Sequence, residues 1–279
     1  MTDFAVGTPP TVAALVDGVV RVFDGRRWKA LPKPEGLPAE LEYRLFFGRD
    51  NQPRLMGYSD ASAPRAFYRR YKNGSFQPEP SELGPLGAAA GALYGVLGYT
   101  DPEVVCKPHE LCLIKTLSGW KRVKAHDAAV PVFLGGGGAW ALFDRSLQQL
   151  SETGFAPFSP SRVFERPVSV WVDPDKAPWV LDAGAAGLFR VVQGEWQKIQ
   201  LALTEPAAVW GKGSSDIWVV SRSGAAHFDG VSFRCVRELN GDLRFVMPAG
   251  DTVWFAGAAG AYRVSAAKLA LRAAAATTH

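Results

Sequence analysis

Residues 209–236 read V-W-G-K-G-S-S-D-I-W-V-V-S-R-S-G-A-A-H-F-D-G-V-S-F-R-C-V, four short apolar runs separated by turn residues. Val209 and Trp210 end a first strand, and 211–216 is a polar turn. A β-branched and aromatic strand follows over 217–220, then a turn at 221–224 and a third strand over 225–228. Asp229-Gly230 is a tight turn into a fourth strand over 232–236. Strands this short, divided by Gly, Ser and Asp, predict a four-stranded antiparallel meander. A lone meander cannot bury both faces, so copies must stack on one another. The reading is therefore all-β, a single β-propeller of repeated meanders.

The plan extends along the chain in both directions. Its marker is an aromatic two or three residues past a tight turn, opening the last strand of each unit. The markers are Trp28, Phe76, Trp120, Phe155, Trp196 and Phe233, with Leu269 in the weakest copy. Their spacings are 48, 44, 35, 41, 37 and 36 residues, scattered around the roughly 40–45 of a four-stranded blade. Seven markers predict about seven blades in residues 1–272, with 273–279 a frayed or helical tail. Strands are expected at 4–6, 12–16, 19–23 and 28–31 in unit one, and at 43–47, 54–58, 67–71 and Phe76 in unit two. Unit three has 93–97, 104–107, 111–116 and 120–123; unit four has 130–134 and 139–143, then a less regular outer half over 147–158. Unit five has 168–172, 179–182, 187–192 and 196–199, and unit seven 243–246, 252–256, 261–264 and 269–271. Segments 32–38 and 78–91 are Pro-rich linkers. Both end units look nearly complete, so the ring closes by packing unit one on unit seven or by adding 1–7 to the last blade.

At 279 residues and 47% hydrophobic the chain can bury a large core, and nine Trp with 29 Gly suit a β protein with many tight turns. Lys and Arg number 31 against 27 Asp and Glu, a net charge of +4 spread too evenly to imply a nucleic-acid partner. The densest basic run, Arg65, Arg69, Arg70 and Lys72, alternates with Phe67, Tyr68 and Tyr71 and reads as a solvated strand with aromatics beneath it. No apolar stretch is long enough to span a bilayer, so no membrane partner is expected. Residues 1–11 carry an acid and no hydrophobic run, so no signal peptide is read. Three cysteines, an odd number, make no disulfide framework. The expectation is a cytoplasmic protein.

In Trp210-Gly211, Asp216-Ile217-Trp218-Val219-Val220, Gly224, His227-Phe228-Asp229-Gly230 and Phe233 the sequence resembles a repeat of bacterial β-propeller proteins. That pattern pairs an Asp-Ile/Val-aromatic strand with a His-aromatic-Asp-Gly hairpin. Unit five matches through Trp171, Trp179, Leu188-Phe189, Gly194 and Trp196, and unit one through Phe23-Asp24-Gly25 and Trp28. Units two, three and four depart from it, so about half the chain carries the likeness. The Gly-His and Trp-Asp dipeptides of the WD-repeat class are missing at the expected places. The resemblance implies a fold and no activity, because one superfold hosts many functions.

Residues 106–112 read C-K-P-H-E-L-C, three soft metal ligands at spacing three. If 108–110 form a hairpin loop, Cys106 and Cys112 face each other across the ladder and His109 stands at the tip, pointing away. Structural zinc wants four converging ligands, so the favoured reading is two small hydrophobes and a loop histidine. No metal and no cofactor is expected, and Cys106, Cys112 and Cys235 are reduced thiols. Gly135 to Gly138 is no phosphate loop, because no Lys-Ser/Thr follows and the next segment is a strand; Gly211-Lys212-Gly213-Ser214 fails the same test. His227 is expected to bond a backbone group or a carboxylate in its turn. His126-Asp127 lies in a linker near one face, without a second His or a paired Glu beside it.

Three functions fit such a chain. The first is a non-catalytic scaffold holding a protein partner on one face, where the loops between blades and those joining each blade's second and third strands emerge together. Candidate binding residues on these connections are Tyr58, Asp60, Arg65, His126, Arg166 and Arg222, with Arg65 the expected anchor. The second is a carbohydrate-binding propeller using the tryptophans to stack on a glycan. The third is a lyase or hydrolase at a central channel, where Arg44 and Arg244 on inner strands would meet an anionic substrate. The scaffold is the reading preferred on sequence.

Overall fold

The computed structural model describes residues 3–6, 11–34, 42–47, 51–58, 66–78, 94–96, 104–107, 111–116, 119–124, 132–135, 138–143, 145–151, 154–258 and 260–265. Among them every regular element is a β-strand, and no helix is long and apolar enough to cross a membrane. The chain divides into two compact units, Met1–Phe158 and Ser159–His279.

In the first unit, β1 (Asp3–Val6), β2 (Val12–Val16), β3 (Val19–Phe23) and β4 (Trp28–Ala30) form one sheet in chain order. A second sheet holds β5 (Glu42–Phe47), β6 (Pro53–Tyr58), β7 (Ala66–Lys72) and β8 (Ser75–Pro78). Two further meanders share one sheet. They are β9 (Tyr94–Val96), β10 (Val104–Lys107), β11 (Leu111–Thr116) and β12 (Gly119–Lys124), then β13 (Val132–Gly135), β14 (Gly138–Phe143), β15 (Ser146–Ser151) and β16 (Gly154–Pro157). A single parallel pair, Lys124 with Gly154, joins their last strands.

The second unit begins with β17 (Pro167–Val172), β18 (Pro178–Asp182), β19 (Gly187–Val192) and β20 (Glu195–Gln200). The sheet after it is β21 (Pro206–Gly213), β22 (Asp216–Ser221), β23 (Gly224–Phe228) and β24 (Phe233–Val236). The third is β25 (Leu243–Ala249), β26 (Thr252–Gly257) and β27 (Gly260–Ser265), and all three sheets run in chain order.

The turns explain the regularity. Gly25 and Gly230 have φ of 97° and 95°, a region open to glycine at little cost. Beside them Asp24 Oδ1 accepts the N–H groups of Arg26 and Arg27 at 2.9 and 3.0 Å, and Asp229 Oδ1 those of Val231 and Ser232 at 2.9 Å each. The chain reverses identically in both places, and the marker aromatic folds back on the one before the turn. Phe23 and Trp28 lie 5.4 Å apart, Phe228 and Phe233 5.1 Å. Asn73-Gly74 and Gln193-Gly194 turn instead with both residues at positive φ, as in the two-residue hairpin turns that match strand twist. All six described markers open or nearly open the fourth strand of a meander.

A second aromatic ladder stabilises the sheets from within. Trp140, Trp179, Trp218 and Trp254 occupy their second strands 39, 39 and 36 residues apart, each 4% exposed or less. Trp179 meets Phe228 of the next sheet at 6.4 Å, and Trp218 meets Phe255 of the following one at 5.4 Å. Each pair bridges two sheets, and one apolar cluster therefore includes Trp179, Val219 and Phe228, another Trp218, Val246 and Phe255. In the first unit Ala13, Leu15 and Val20 pack with Leu45, Leu55 and Phe76 in the same manner.

Four expectations change. The polar turn at 211–216 shrinks to Ser214-Ser215, because β21 runs on to Gly213, which pairs with Asp216. The outer half of unit four is a regular hairpin, Leu150 opposite Phe155. Residues 3–6 pair with β2, from Asp3 with Leu15 to Val6 with Val12, so they complete the first sheet. The basic strand is not simply solvated: Arg69 and Arg70 are half-buried, and burial pulls Arg69 below the usual arginine range. Cys106 and Cys112 do lie opposite one another, while His109, 269–271 and 273–279 fall outside the described residues.

Candidate binding site

Three arginines of the second unit line one open cleft of about 290 Å³: Arg166, Arg222 and Arg244. Arg166 precedes β17, Arg222 sits in the turn between β22 and β23, and Arg244 is the second residue of β25. All three therefore lie where first strands begin and second strands end. That is the end of the sheets at which the binding face was expected.

The inner strands make this end of the sheets irregular, and they do it the same way three times. Strand register slips between Pro167 and Ser169, between Pro206 and Ala208, and between Leu243 and Phe245. The unpaired residues are Val168, Ala207 and Arg244, and each lines the cleft. A β-bulge frees one residue from the ladder and re-aims its side chain. In the third sheet the freed residue is an arginine.

The segment carrying Arg166 is held firmly. Asp182, 1% exposed, accepts the N–H of Glu165 on Oδ2 at 2.8 Å. Its Oδ1 accepts those of Arg166, Gly184 and Ala185 at 2.9, 2.9 and 3.2 Å. Burial pushes the Asp182 carboxyl upward, but these four donors outweigh it and hold it below the usual carboxylate range. The N–H of Ala183 returns to the Arg166 carbonyl at 2.9 Å. Upstream, Trp196 Nε1 donates to the Pro160 carbonyl at 2.7 Å, and Phe164 packs edge-on against Phe189 and Trp196. The Arg166 backbone is thus fixed on both sides, while its guanidinium has no partner among the described residues.

The other two arginines are paired. Arg222 Nε meets Glu205 Oε2 at 3.2 Å with both side chains mostly exposed. Arg244 grips Asp242 with two bonds, Nε to Oδ1 at 3.2 Å and Nη2 to Oδ2 at 2.9 Å. That fork, first by its hydrogen bond and then by its charge, lowers the Asp242 carboxyl, and the Arg222 charge adds to the effect. These are two separate ion pairs, linked only by the Arg222 charge acting on Asp242.

Histidine 227 takes the structural role expected of it. Its Nε2 meets Asp216 Oδ1 at 2.8 Å and its ring stacks on Trp218 at 4.4 Å. Asp216 also accepts the Trp218 indole N–H at 3.0 Å, and the His227 bond is the main cause of its lowered carboxyl. Of the remaining candidates, Tyr58 ends β6 and Arg44 lies in β5 opposite Met56. Asp60, Arg65 and His126 lie outside the described residues. The sequence reading grouped Arg166 with Arg222 but assigned Arg244 to a channel, and it did not single out Glu205, Asp242 or Asp182. Asp182 had a signal, an aspartate two residues before a glycine at a strand end; the bulges had none.

No protein-family model matches the sequence, and no curated protein matches it either. Solved structures do resemble the fold. Virginiamycin B lyase from Staphylococcus aureus superposes with a TM-score of 0.66 at 15% identity, over 94% of this chain and 93% of that one. YCF48 from Cyanidioschyzon merolae gives 0.67 at 13% identity, over 95% of each chain. A structure of YCF48 bound to D1 peptide gives 0.65 at 12% identity, over 94% of this chain and 89% of that one. The fold is an all-β propeller.

Proposed function

We propose that this protein is a non-catalytic, seven-bladed scaffold whose cleft face binds a segment of another protein. The observation that carries the reading is the meeting of Arg166, Arg222 and Arg244 at one cleft on a firmly hydrogen-bonded backbone. Arginines offer fixed fans of donors and dominate interface hot spots. Loops supported by a rigid scaffold are where binding residues concentrate. The complex of YCF48 with D1 peptide supports the reading, since a protein of similar fold there binds a peptide. A glycan is less well supported, since five described tryptophans are under 9% exposed and unavailable for stacking. The test is photo-crosslinking from position 223, beside Arg222, in the native lysate. A specific protein adduct, lost when Arg166, Arg222 and Arg244 are together changed to Ala, is the expected result.

A lyase is the second reading, favoured by the superposition on virginiamycin B lyase. One related structure, a catalytically inactive histidine-to-alanine variant, contains quinupristin. Incubation with quinupristin decides the matter: time-dependent conversion of that molecule, lost on His126→Ala, would replace the scaffold reading with an enzyme.

A further inference from the structure

The partner's chemistry can be taken further on the footing of that scaffold reading. Arg166, Arg222 and Arg244 line the cleft with one acidic side chain, Glu205, while Asp242 is held by Arg244. The unmatched cation is Arg166, whose backbone is pinned and whose guanidinium meets no acid among the described residues. The volume, about 290 Å³, sits at the lower edge of pockets that enclose whole small molecules. It suits one or two side chains of a longer chain.

Glu205 is the unusual member. It stands at φ 47° immediately before Pro206, although a residue before proline is normally driven to extended backbone. A non-glycine residue in that region is strained. The strain presents a carboxylate to Arg222 at the cleft wall, yet the pair is 66% and 57% exposed, and exposed ion pairs are weakly held. An incoming carboxylate can exchange with it at little cost.

We propose that the cleft docks an acidic peptide segment, with Arg166 making the first contact and Glu205 acting as a resident carboxylate displaced from Arg222. Removing the resident should therefore strengthen binding. A fluorescein-labelled peptide of four consecutive glutamates, its glutamine counterpart and inorganic phosphate as competitor provide the test by anisotropy on the full chain. The glutamate peptide should bind and the glutamine peptide should not. Arg166→Ala should weaken binding about tenfold, with an unchanged melting temperature because that side chain has no partner to lose. Glu205→Gln should tighten it about threefold. Equal binding of the glutamine peptide would overturn the proposal, as would weaker or unchanged binding by Glu205→Gln. Phosphate displacing the peptide at lower concentration than acetate does would assign the cleft to phosphoryl groups instead. A crosslinked partner whose capture survives Arg166→Ala would overturn this inference and leave the scaffold reading standing. Loss of both peptide binding and crosslinking would end the two together.

Discussion

Asp182 shows how much one buried carboxylate can organise. Four backbone N–H groups from two segments converge on it, and Asp182→Ala would leave them without an acceptor. The expected cost is about 2–3 kcal/mol, the range for a hydrogen-bonded charged group, measured by urea denaturation. Because the folded carboxyl is held below its ordinary range, its contribution is complete above about pH 4, the unfolded value. It is lost as the pH falls through the folded value, so the stability gap between wild type and Asp182→Ala should narrow as the pH falls below about 4. Gly211 is decisive for the opposite reason. A β-carbon there would lie 2.6 Å from Cη2 of the Trp171 ring, which is 8% exposed and packed in the core. Gly211→Ala should cost about 1–3 kcal/mol. The loss should be partly relieved by shrinking Trp171 to Leu, a rescue that thermal denaturation would detect.

At the scale of elements, the second strands carry the packing. Trp218 lies between its own sheet and Phe255 of the next, so Trp218→Ala should remove about 3–5 kcal/mol. An unchanged denaturation midpoint would refute that placement. Most of this layer was legible in the sequence: β2, β3, β10, β11 and β19 match their expected bounds, because they are short β-branched or apolar runs bounded by turn residues such as Asp17-Gly18, Asp24-Gly25, Pro108 and Gln193-Gly194. The misread turn at 211–216 has a plain cause. Gly211 and Gly213 read as turn residues, yet a strand whose face must admit Trp171 needs a position without a β-carbon. The Trp140, Trp179, Trp218 and Trp254 series was also legible, and is more regular than the fourth-strand markers.

Across the molecule, each described sheet of the second unit shares its core with the next, through Trp179 with Phe228 and Trp218 with Phe255. Stability in such an array is a sum of neighbouring interfaces. Trp179→Ala should consequently raise hydrogen exchange in β22 and β23 as well as in its own sheet, and protection unchanged beyond β20 would contradict the coupling. The binding cleft was only half legible at this scale. Arg166 and Arg222 were readable because their loops could be placed, but Arg244 joins them through a one-residue slip in β25 that leaves no mark in composition or period.

The outermost strands set a different constraint, on how the protein tolerates its own concentration. β20 ends its sheet with Glu195, Gln197, Lys198 and Gln200 exposed, and the stem of Lys198 lies over Gly187, where a β-carbon would come within 2.7 Å of it. An open edge of unpaired backbone is a template for strand addition by a second molecule, and edge lysines discourage it. β12 and β16 solve the same problem by meeting through their single parallel pair. Replacing Lys198 and Gln200 by Val should leave folding intact yet seed fibrils, visible as thioflavin fluorescence that grows with protein concentration. The lysine stem resting on a bare glycine thus acts as a guard against amyloid growth from that edge.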